Sequence, residues 1–557
     1  MLSRFTLLLQ LLTGLLLLGG TACSPDHYRK QADRQVYSIV TDKQVQVLGA
    51  TREFSIEPVG MDPLAERPLE EARLTEAGTW EILPPTPEAA PAALRTPTRT
   101  QVVRLPLEDA LGIGVLSSRE YLRQKEDVYL AALSLTDARR NFETRYFGAV
   151  GGDVARNSDG TETVGGSASA TLRRNLAAGG SLALNLASNF LHYLTGDFRD
   201  SSRSLFSLDL LQPLWRGAGR RIAQENLTQA ERDAIYQIRS FARYQRTFAV
   251  DLADAYYRVL QQQDRVVNEW RNYESLAYSY VRNASLAEAG VLPPFQVDQV
   301  RQDQLRAYNR WIVAREDYEL QLDRFKLRLG LPVDAPIILD DGELAKLHAQ
   351  GLIPVEIDGE EAITLALANR LDLANMRDQL ADTERRVEVA RDNLRGDLEV
   401  ALGLDVPSDA NQPGDPDWDG RSLSGGVDLD LPLERLSERN AYRRSLINLE
   451  RQKRQLTQET DDVKLDVRVA LRALEQARES YRIQTDSVAV AERRVESVDL
   501  LLQAGRATTR DLLESQEALL EARNALTAAL VDYTIARLGF YRDLELLDVN
   551  EKGTWQP

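Results

Sequence analysis

The sequence predicts a mainly α-helical fold with β-segments, in which one structural plan is laid down twice. Short stretches recur in the same order in both halves, two proline-free stretches are too long for helices of a compact domain, and each follows a segment of alternating apolar and polar residues. The first copy runs from Leu105 to Leu331 and the second from Ile357 to Leu547. Leu107-Glu108-Asp109-Ala110-Leu111 answers to Glu360-Glu361-Ala362-Ile363. Leu208-Asp209-Leu210-Leu211-Gln212-Pro213-Leu214 answers to Val427-Asp428-Leu429-Asp430-Leu431-Pro432-Leu433, and Glu288-Ala289-Gly290 to Gln503-Ala504-Gly505. A repeat on this scale sets the architecture before any local element is assigned.

The chain opens on a targeting signal. Arg4 supplies the positive region, Leu7 to Leu18 the apolar stretch and Gly20-Thr21-Ala22 the small residues before cleavage. An apolar run of about a dozen residues is too short to cross a bilayer, which takes about 20. The single cysteine, Cys23, follows directly, so residues 1–22 resemble a lipoprotein signal peptide. That resemblance implies cleavage before Cys23 and acylation of its thiol, and Ser24 in the next position leans toward outer-membrane sorting. Residues 23–104 are expected to be an extended, lipid-anchored segment, since Pro84-Pro85, Pro87, Pro91 and Pro97 suit a polyproline-like tail. Only Tyr37 to Val47 within it reads as a strand or short helix.

Leu105 to Asn141 reads as the first regular helix, with acidic residues in its first turn. From 145 to 214 the period changes to two: Ser167, Ser169 and Thr171 alternate with Ala168, Ala170 and Leu172, and Leu182, Leu184 and Leu186 with Ala183, Asn185 and Ala187. Gly179-Gly180 separates the two runs as a hairpin turn would. The second half has a shorter β-segment, 396–433, bridged by the polar turn-forming stretch Asp409 to Pro416. Asp109 to Pro213 spans 104 positions and Glu361 to Pro432 spans 71, and the excess of 33 predicts one extra hairpin near Thr163 to Phe190.

Long helices are predicted over 219–288 and 440–504. The second carries a heptad seam, Leu446, Leu449, Lys453, Leu456, Thr460, Val463, Val467, Ala470, Leu474, Ala477 and Tyr481, whose alternating steps of three and four specify a coiled coil. At about 1.5 Å per residue each is a rod on the order of 100 Å that must lie against neighbouring rods. Gly290 and Gly505 end the rods, and shorter helices follow over 295–330 and 510–547. Residues 332–356 read as a linker and 548–557 as a tail.

Composition narrows the function. A net charge of −17 argues against a nucleic-acid partner. Three scattered histidines and one cysteine rule out most metal and thiol chemistry, no nucleophile, base and orienting group stand at a readable spacing, and no cofactor is expected. The chain does not read as an enzyme.

The residues resemble the TolC family of outer-membrane channels, in its lipid-anchored branch. Leu211-Gln212-Pro213-Leu214-Trp215-Arg216-Gly217 is similar to the family's strand-to-helix junction, with Pro213, Gly217 and Pro432 as the junction residues of the two halves. Gly505 followed by Asp511-Leu512-Leu513-Glu514-Ser515-Gln516 looks like its second tip motif, and Ala362 to Leu373 like its repeated helix start. The likeness covers 105–547. It implies a homotrimer whose chains contribute strands to one β-barrel in the outer membrane, twelve in the usual member. The helices would form a hollow α-barrel across the periplasm, and the duct would join an inner-membrane pump through a periplasmic adaptor, in tripartite efflux or type I secretion. Physical chemistry agrees, because unpaired strand edges in lipid are prohibitive and strands that cannot close alone must be shared.

The resemblance also implies roles. Asp511 and Glu514, three apart on one helix face, would repeat in a trimer as two acidic rings at the periplasmic mouth, favouring cations; the competing role is to stabilise the helix N-terminus through its dipole. Arg506 and Arg510 would latch the tip, and Gly290 and Gly505 with their flanks would dock the adaptor. The first tip departs from the family pattern in Pro293-Pro294 and in Gln296, and the second junction lacks the glycine pair Gly217 and Gly219. Two other readings stand beside this one. A periplasmic adaptor should carry lipoyl-like halves around a single hairpin, and a structural coiled-coil envelope lipoprotein has no use for alternating β-segments.

Overall fold

A computed structural model describes residues 24–57, 63–65, 67–82, 99–158, 160–195, 200–409 and 411–555. Cys23, the signal peptide before it and the five prolines from Pro84 to Pro97 lie outside the described residues. The chain divides into two units. The first holds the chain up to Phe54, Asp127–Arg239 and Ala374–Gln458; the second holds Ser55–Glu126, Ser240–Leu373 and Glu459–Pro557.

The first unit corrects the expectation of an extended N-terminal segment. Helix α1, Pro25–Leu48, begins with proline in its first turn and ends at Gly49 in the left-handed conformation, the start and stop signals of a helix. Val36, Ile39 and Val40 are buried, and Tyr37 meets the rings of Tyr129 and Phe54 edge-on. The Tyr129 hydroxyl donates to Asp33 at 2.6 Å. This stripe is one or two residues wide per turn, so a mostly polar helix is stabilised by packing and not by its own periodicity.

The main sheet of this unit has six antiparallel strands: β4 (Arg145–Arg156), β5 (Glu162–Asn175), β6 (Ser181–Tyr193), β7 (Asp200–Pro213), β9 (Asp397–Pro407) and β10 (Ser422–Asp430), in the order β10-β9-β7-β6-β5-β4. The two halves of the chain meet where β7 pairs with β9, Leu208 opposite Leu404 and Leu210 opposite Leu402. The first half contributes four strands and the second two; β5 and β6 are the inserted pair.

Within the same unit, α9 (Leu371–Asp392) is tied to the start of the long helix α5 (Glu225–Glu288). Asp382, almost fully buried, accepts from the Tyr236 hydroxyl at 2.6 Å and pairs with Arg232 at 3.0 Å and Arg385 at 2.8 Å. Arg385 also pairs with Glu225 at 2.9 Å, so the buried charges are matched.

The second unit contains a small sheet the sequence reading missed. Strands β1 (Leu69–Leu74), β2 (Trp80–Ile82), β3 (Arg99–Leu105) and β8 (Ile337–Leu339) lie in the order β2-β1-β3-β8, with β8 parallel to β3. The stretch expected to be a linker is therefore structural: Ile337, Ile338 and Leu339 are buried, helix α7 (Gly342–Gln350) follows, and the Tyr533 hydroxyl donates to the Ile353 carbonyl at 2.6 Å. Three apolar residues are too few to show a period, but buried beside β3 they suffice as a strand. The first predicted helix is likewise two, α2 (Leu107–Ser117) and α3 (Arg119–Arg140), because Ser118 turns to an extended backbone. Gly114 of α2 permits close packing: a Cβ there would stand 2.7 Å from Leu252 Cδ2.

Five further helices stand among the described residues: the short α4 (Arg220–Ala223) before α5, α6 (Pro294–Leu329) after it, and α8 (Gly359–Asn369) before α9; α10 (Leu436–Gln503) and α11 (Thr509–Asp543) close the second half. Of the seam predicted for α10, Val463, Val467, Leu474 and Ala477 are buried, and Leu474 and Ala477 pack on Tyr533 of α11. Among the described residues no helix is long and apolar enough to cross a membrane.

Candidate functional site

The two helix tips, both in the second unit, are built alike. At the end of α5 the Gly290 N–H donates to the Ala287 carbonyl at 3.0 Å and Val291 N–H to Leu286 at 2.9 Å; at the end of α10, Gly505 donates to Leu502 at 3.0 Å and Arg506 to Leu501 at 2.8 Å. This six-to-one and five-to-two pairing satisfies carbonyls left over at a helix end and needs a left-handed residue. Gly290 has φ of 73° and Gly505 of 68°. A Cβ at either would meet nothing within 4 Å, so within one chain the conformation, and not close approach, explains these glycines.

Thr508 caps α11. Its Oγ1 accepts from the Asp511 N–H at 3.3 Å, while Asp511 Oδ2 accepts from the Thr508 N–H at 2.8 Å and from its hydroxyl at 2.7 Å. This capping box satisfies two orphan donors reciprocally. The hydrogen bonds from Thr508 hold the Asp511 carboxyl below its usual range. Glu514 pairs with Arg510 at 3.2 Å on the same exposed helix face. Within this chain Arg510 pairs along its own helix, and Arg506 is exposed and forms no ion pair with another described residue.

A buried polar node was not anticipated. Asn283 of α5 donates to Thr509 Oγ1 at 3.3 Å, and the Thr509 hydroxyl donates to Gln296 Oε1 of α6 at 3.3 Å. Asn283 and Thr509 are both nearly inaccessible, and Leu276, Val300, Ala307 and Leu513 form the apolar cluster of the same region. The departure at Gln296 thus has a structural use: it joins the first tip to the second. The only sequence signal was an amide and a hydroxyl at helical positions beside the tip glycines. Farther along these helices a polar cavity of about 360 Å³ is lined by Asp264, Arg265, Glu269, Arg310, Glu517 and Asn524. Burial pushes the Glu269 carboxyl up, against the pull of Arg310 at 3.4 Å.

The strand-to-helix junctions, in the first unit, are solved differently in the two halves. Pro213 ends β7 opposite Glu399, and Gly217, at φ of 76°, donates its N–H to the buried Asp392 carboxylate at 2.7 Å. The second junction, without glycines, uses a side chain: Arg435 donates to the Pro432 carbonyl at 3.2 Å and to that of Leu394.

The register sorts the six-stranded sheet into two faces. One carries Tyr146, Val150 and Val154 of β4, Val164, Ala168, Ala170 and Leu172 of β5, and Leu182, Leu184, Leu186 and Phe190 of β6. It continues through Phe206, Leu208 and Leu210 of β7, Val400, Leu402, Leu404 and Val406 of β9, and Leu423, Val427 and Leu429 of β10. The opposite face carries Thr163, Ser167, Ser169, Thr171, Asn185, Asn189, Arg203, Ser207, Asp209, Glu399, Asp405, Ser424 and Asp428, interrupted by Phe147, Leu191, Leu205 and Leu211. Many of the apolar residues are exposed, Val154 at 76% and Leu423 at 83%. This face is broken by Ser188 and His192 of β6 and by Ser202 and Ser204 of β7, yet a sheet face so largely apolar and exposed belongs against hydrocarbon, and its polar reverse against water.

Residues 362–543 match the outer membrane efflux protein family. The fold is similar to solved outer-membrane channels. VceC of Vibrio cholerae is 12% identical with a TM-score of 0.59, over 79% of this chain and 95% of its own. The Campylobacter jejuni CmeC channel is 14% identical with a TM-score of 0.58, over 79% and 85%. The open state of the Neisseria gonorrhoeae MtrE channel is 13% identical with a TM-score of 0.55, over 79% and 88%. No curated protein sequence matches the chain.

Proposed function

We propose that this chain, whose residues 362–543 match the outer membrane efflux protein family, is the outer-membrane exit duct of a tripartite efflux or secretion assembly. The observation that carries this is the sheet with one apolar and one polar face and two unpaired edges, β10 and β4. An open edge cannot stand in hydrocarbon, where each unpaired backbone group costs several kcal/mol, so copies of the chain must share one closed barrel. Three copies form the duct, as the family resemblance implies. It is a passive conduit, energised by an inner-membrane pump through a periplasmic adaptor, and Cys23 carries the lipid anchor.

In this reading the tips form the periplasmic mouth. Asp511 keeps its charge at any neutral pH, since its carboxyl is held low, and three copies make an acidic ring. Glu514 adds a weaker ring, offset by Arg510 beside it. Gly290, Gly505 and Arg506, exposed and with Arg506 forming no ion pair among the described residues, are the surface offered to the adaptor.

The test is single-channel conductance of the detergent-extracted protein in a planar bilayer, together with its mass in solution. Discrete cation-selective steps from a trimer are expected. Asp511→Ala with Glu514→Ala should raise conductance and weaken block by multivalent cations; unchanged block would remove the ring. A monomer without conductance, also after substitution of the tip carboxylates and arginines, would remove the channel.

A further inference from the structure

We infer that all six strands of each chain lie in the membrane wall, so that three copies close an eighteen-stranded barrel in place of the twelve-stranded one the family resemblance implies. This rests on the trimeric channel proposed above. The alternative is that the inserted hairpin, β5 and β6, stands outside the bilayer as an appendage and leaves four membrane strands per chain.

The inserted hairpin cannot be told apart from its neighbours in the register. β5 pairs with β4 and β6 with β7 along their whole lengths, from Arg145 opposite Arg173 to Arg156 opposite Glu162, and from Ser181 opposite Leu211 to Leu191 opposite Ser201. Its strands have 14 and 13 residues, beside 12 in β4 and 14 in β7. About 9–11 tilted residues suffice to cross hydrocarbon. Its apolar side, with Leu184 and Leu186, continues the apolar side of β7 at Leu208 and Phe206, while Asn185 and Ser167 continue the polar side. A hairpin in water on both sides has no reason to carry this alternation.

The turn of the hairpin is also seated at the level where the other strands end. Gly219, beside the first junction, donates its N–H to the Ala178 carbonyl at 2.9 Å. A Cβ on Gly179 would stand 2.3 Å from the Gly217 carbonyl oxygen, so the turn is pressed against the junction backbone. Insertion of an even number of strands leaves the edges β4 and β10 running in opposite directions. Hence β10 of one copy meets β4 of the next in the same antiparallel sense as every other pair, and closure needs no rearrangement.

The consequence is a wider wall. With strands about 4.8 Å apart and tilted by about 40°, eighteen give a barrel roughly 36 Å across, against roughly 24 Å for twelve. Such a barrel is in the size class that leaves an aqueous channel, so its lumen passes bulkier cargo than the twelve-stranded form.

The test places single cysteines in the full-length protein reconstituted in lipid vesicles, with the unsubstituted protein as the blank for Cys23. Leu186→Cys and Asn185→Cys report on β6, Leu208→Cys and Ser207→Cys on β7. Each is reacted with a bulky water-soluble maleimide, and trimer mobility on a gel verifies folding. The Leu186→Cys thiol should react at least about tenfold more slowly than Asn185→Cys, because the thiolate is not formed in hydrocarbon. The β7 pair should show the same contrast. Equal reactivity of the β6 pair with contrast kept in β7 would place the hairpin outside the bilayer: twelve strands, with the channel intact. Loss of contrast in both pairs would overturn the channel reading as well.

Discussion

At the scale of single residues, the two acidic tip residues serve unequal roles. Asp511 accepts two hydrogen bonds from Thr508, and its depressed carboxyl gives the sign of the pH effect. A carboxylate held below its unfolded value contributes stability that is fully present above that value and is lost as pH falls through the folded one. The tip should therefore be insensitive between pH 7 and 5, and should fray only below pH of roughly 4. Amide exchange at Thr508 to Leu512 reads this directly; exchange that already quickens at pH 5.5 would contradict it. Thr508→Ala should speed exchange of the same amides at neutral pH, by a loss of about 1 kcal/mol at the cap. Asp511 was legible as an acidic residue near the start of the last helix, where its charge suits the dipole. The reciprocal geometry was not, and neither was the node in which Thr509 meets Asn283 and Gln296, each more than two hundred positions away.

At the scale of elements, the long helices are held by a narrow seam. Leu474 is buried against Ala477 and Tyr533, whereas Lys453, in the same heptad frame, is exposed. Leu474→Ala should lower stability by about 2–3 kcal/mol, while Lys453→Ala should change it little. Denaturant unfolding of the two variants checks the contrast, and equal effects would mean the seam is not the packing line. The heptad was readable because period is a local property of sequence. Helix α1 and strand β8 were misread because each is stabilised by a partner distant in sequence: α1 by Tyr129, β8 by β3. Extended or linker character assigned from polar composition or from three apolar residues contains no term for such a partner.

At the scale of the whole molecule, apolar stripes remain uncovered. Val469, Ile483 and Val490 of α10 stand at multiples of seven residues and are each more than half exposed. Val313, Leu320 and Leu327 of α6 repeat every seven residues and are about half exposed as well. Exposed heptad stripes mark helix faces that pack on another helix, and in the proposed trimer the partner is a neighbouring copy. Val469→Glu combined with Ile483→Glu should leave each chain folded, since neither side chain is buried within it, and shift the mass in detergent from trimer toward monomer. A trimer that persists would remove this face from the interface.

Sequence by itself determined the duplication, the alternation that sorts two faces of a sheet, the heptad seam, the tip glycines and the inserted hairpin, because periodicity and backbone preference act over a few residues. Tertiary structure decided which strands are neighbours, above all β7 beside β9, residues nearly two hundred positions apart. It also decided the helix α1, the sheet that includes β8, and the node that joins the two tips. These depend on burial and hydrogen bonding between distant segments, where a few side chains gain their stability only once the rest of the fold has brought their partners to them.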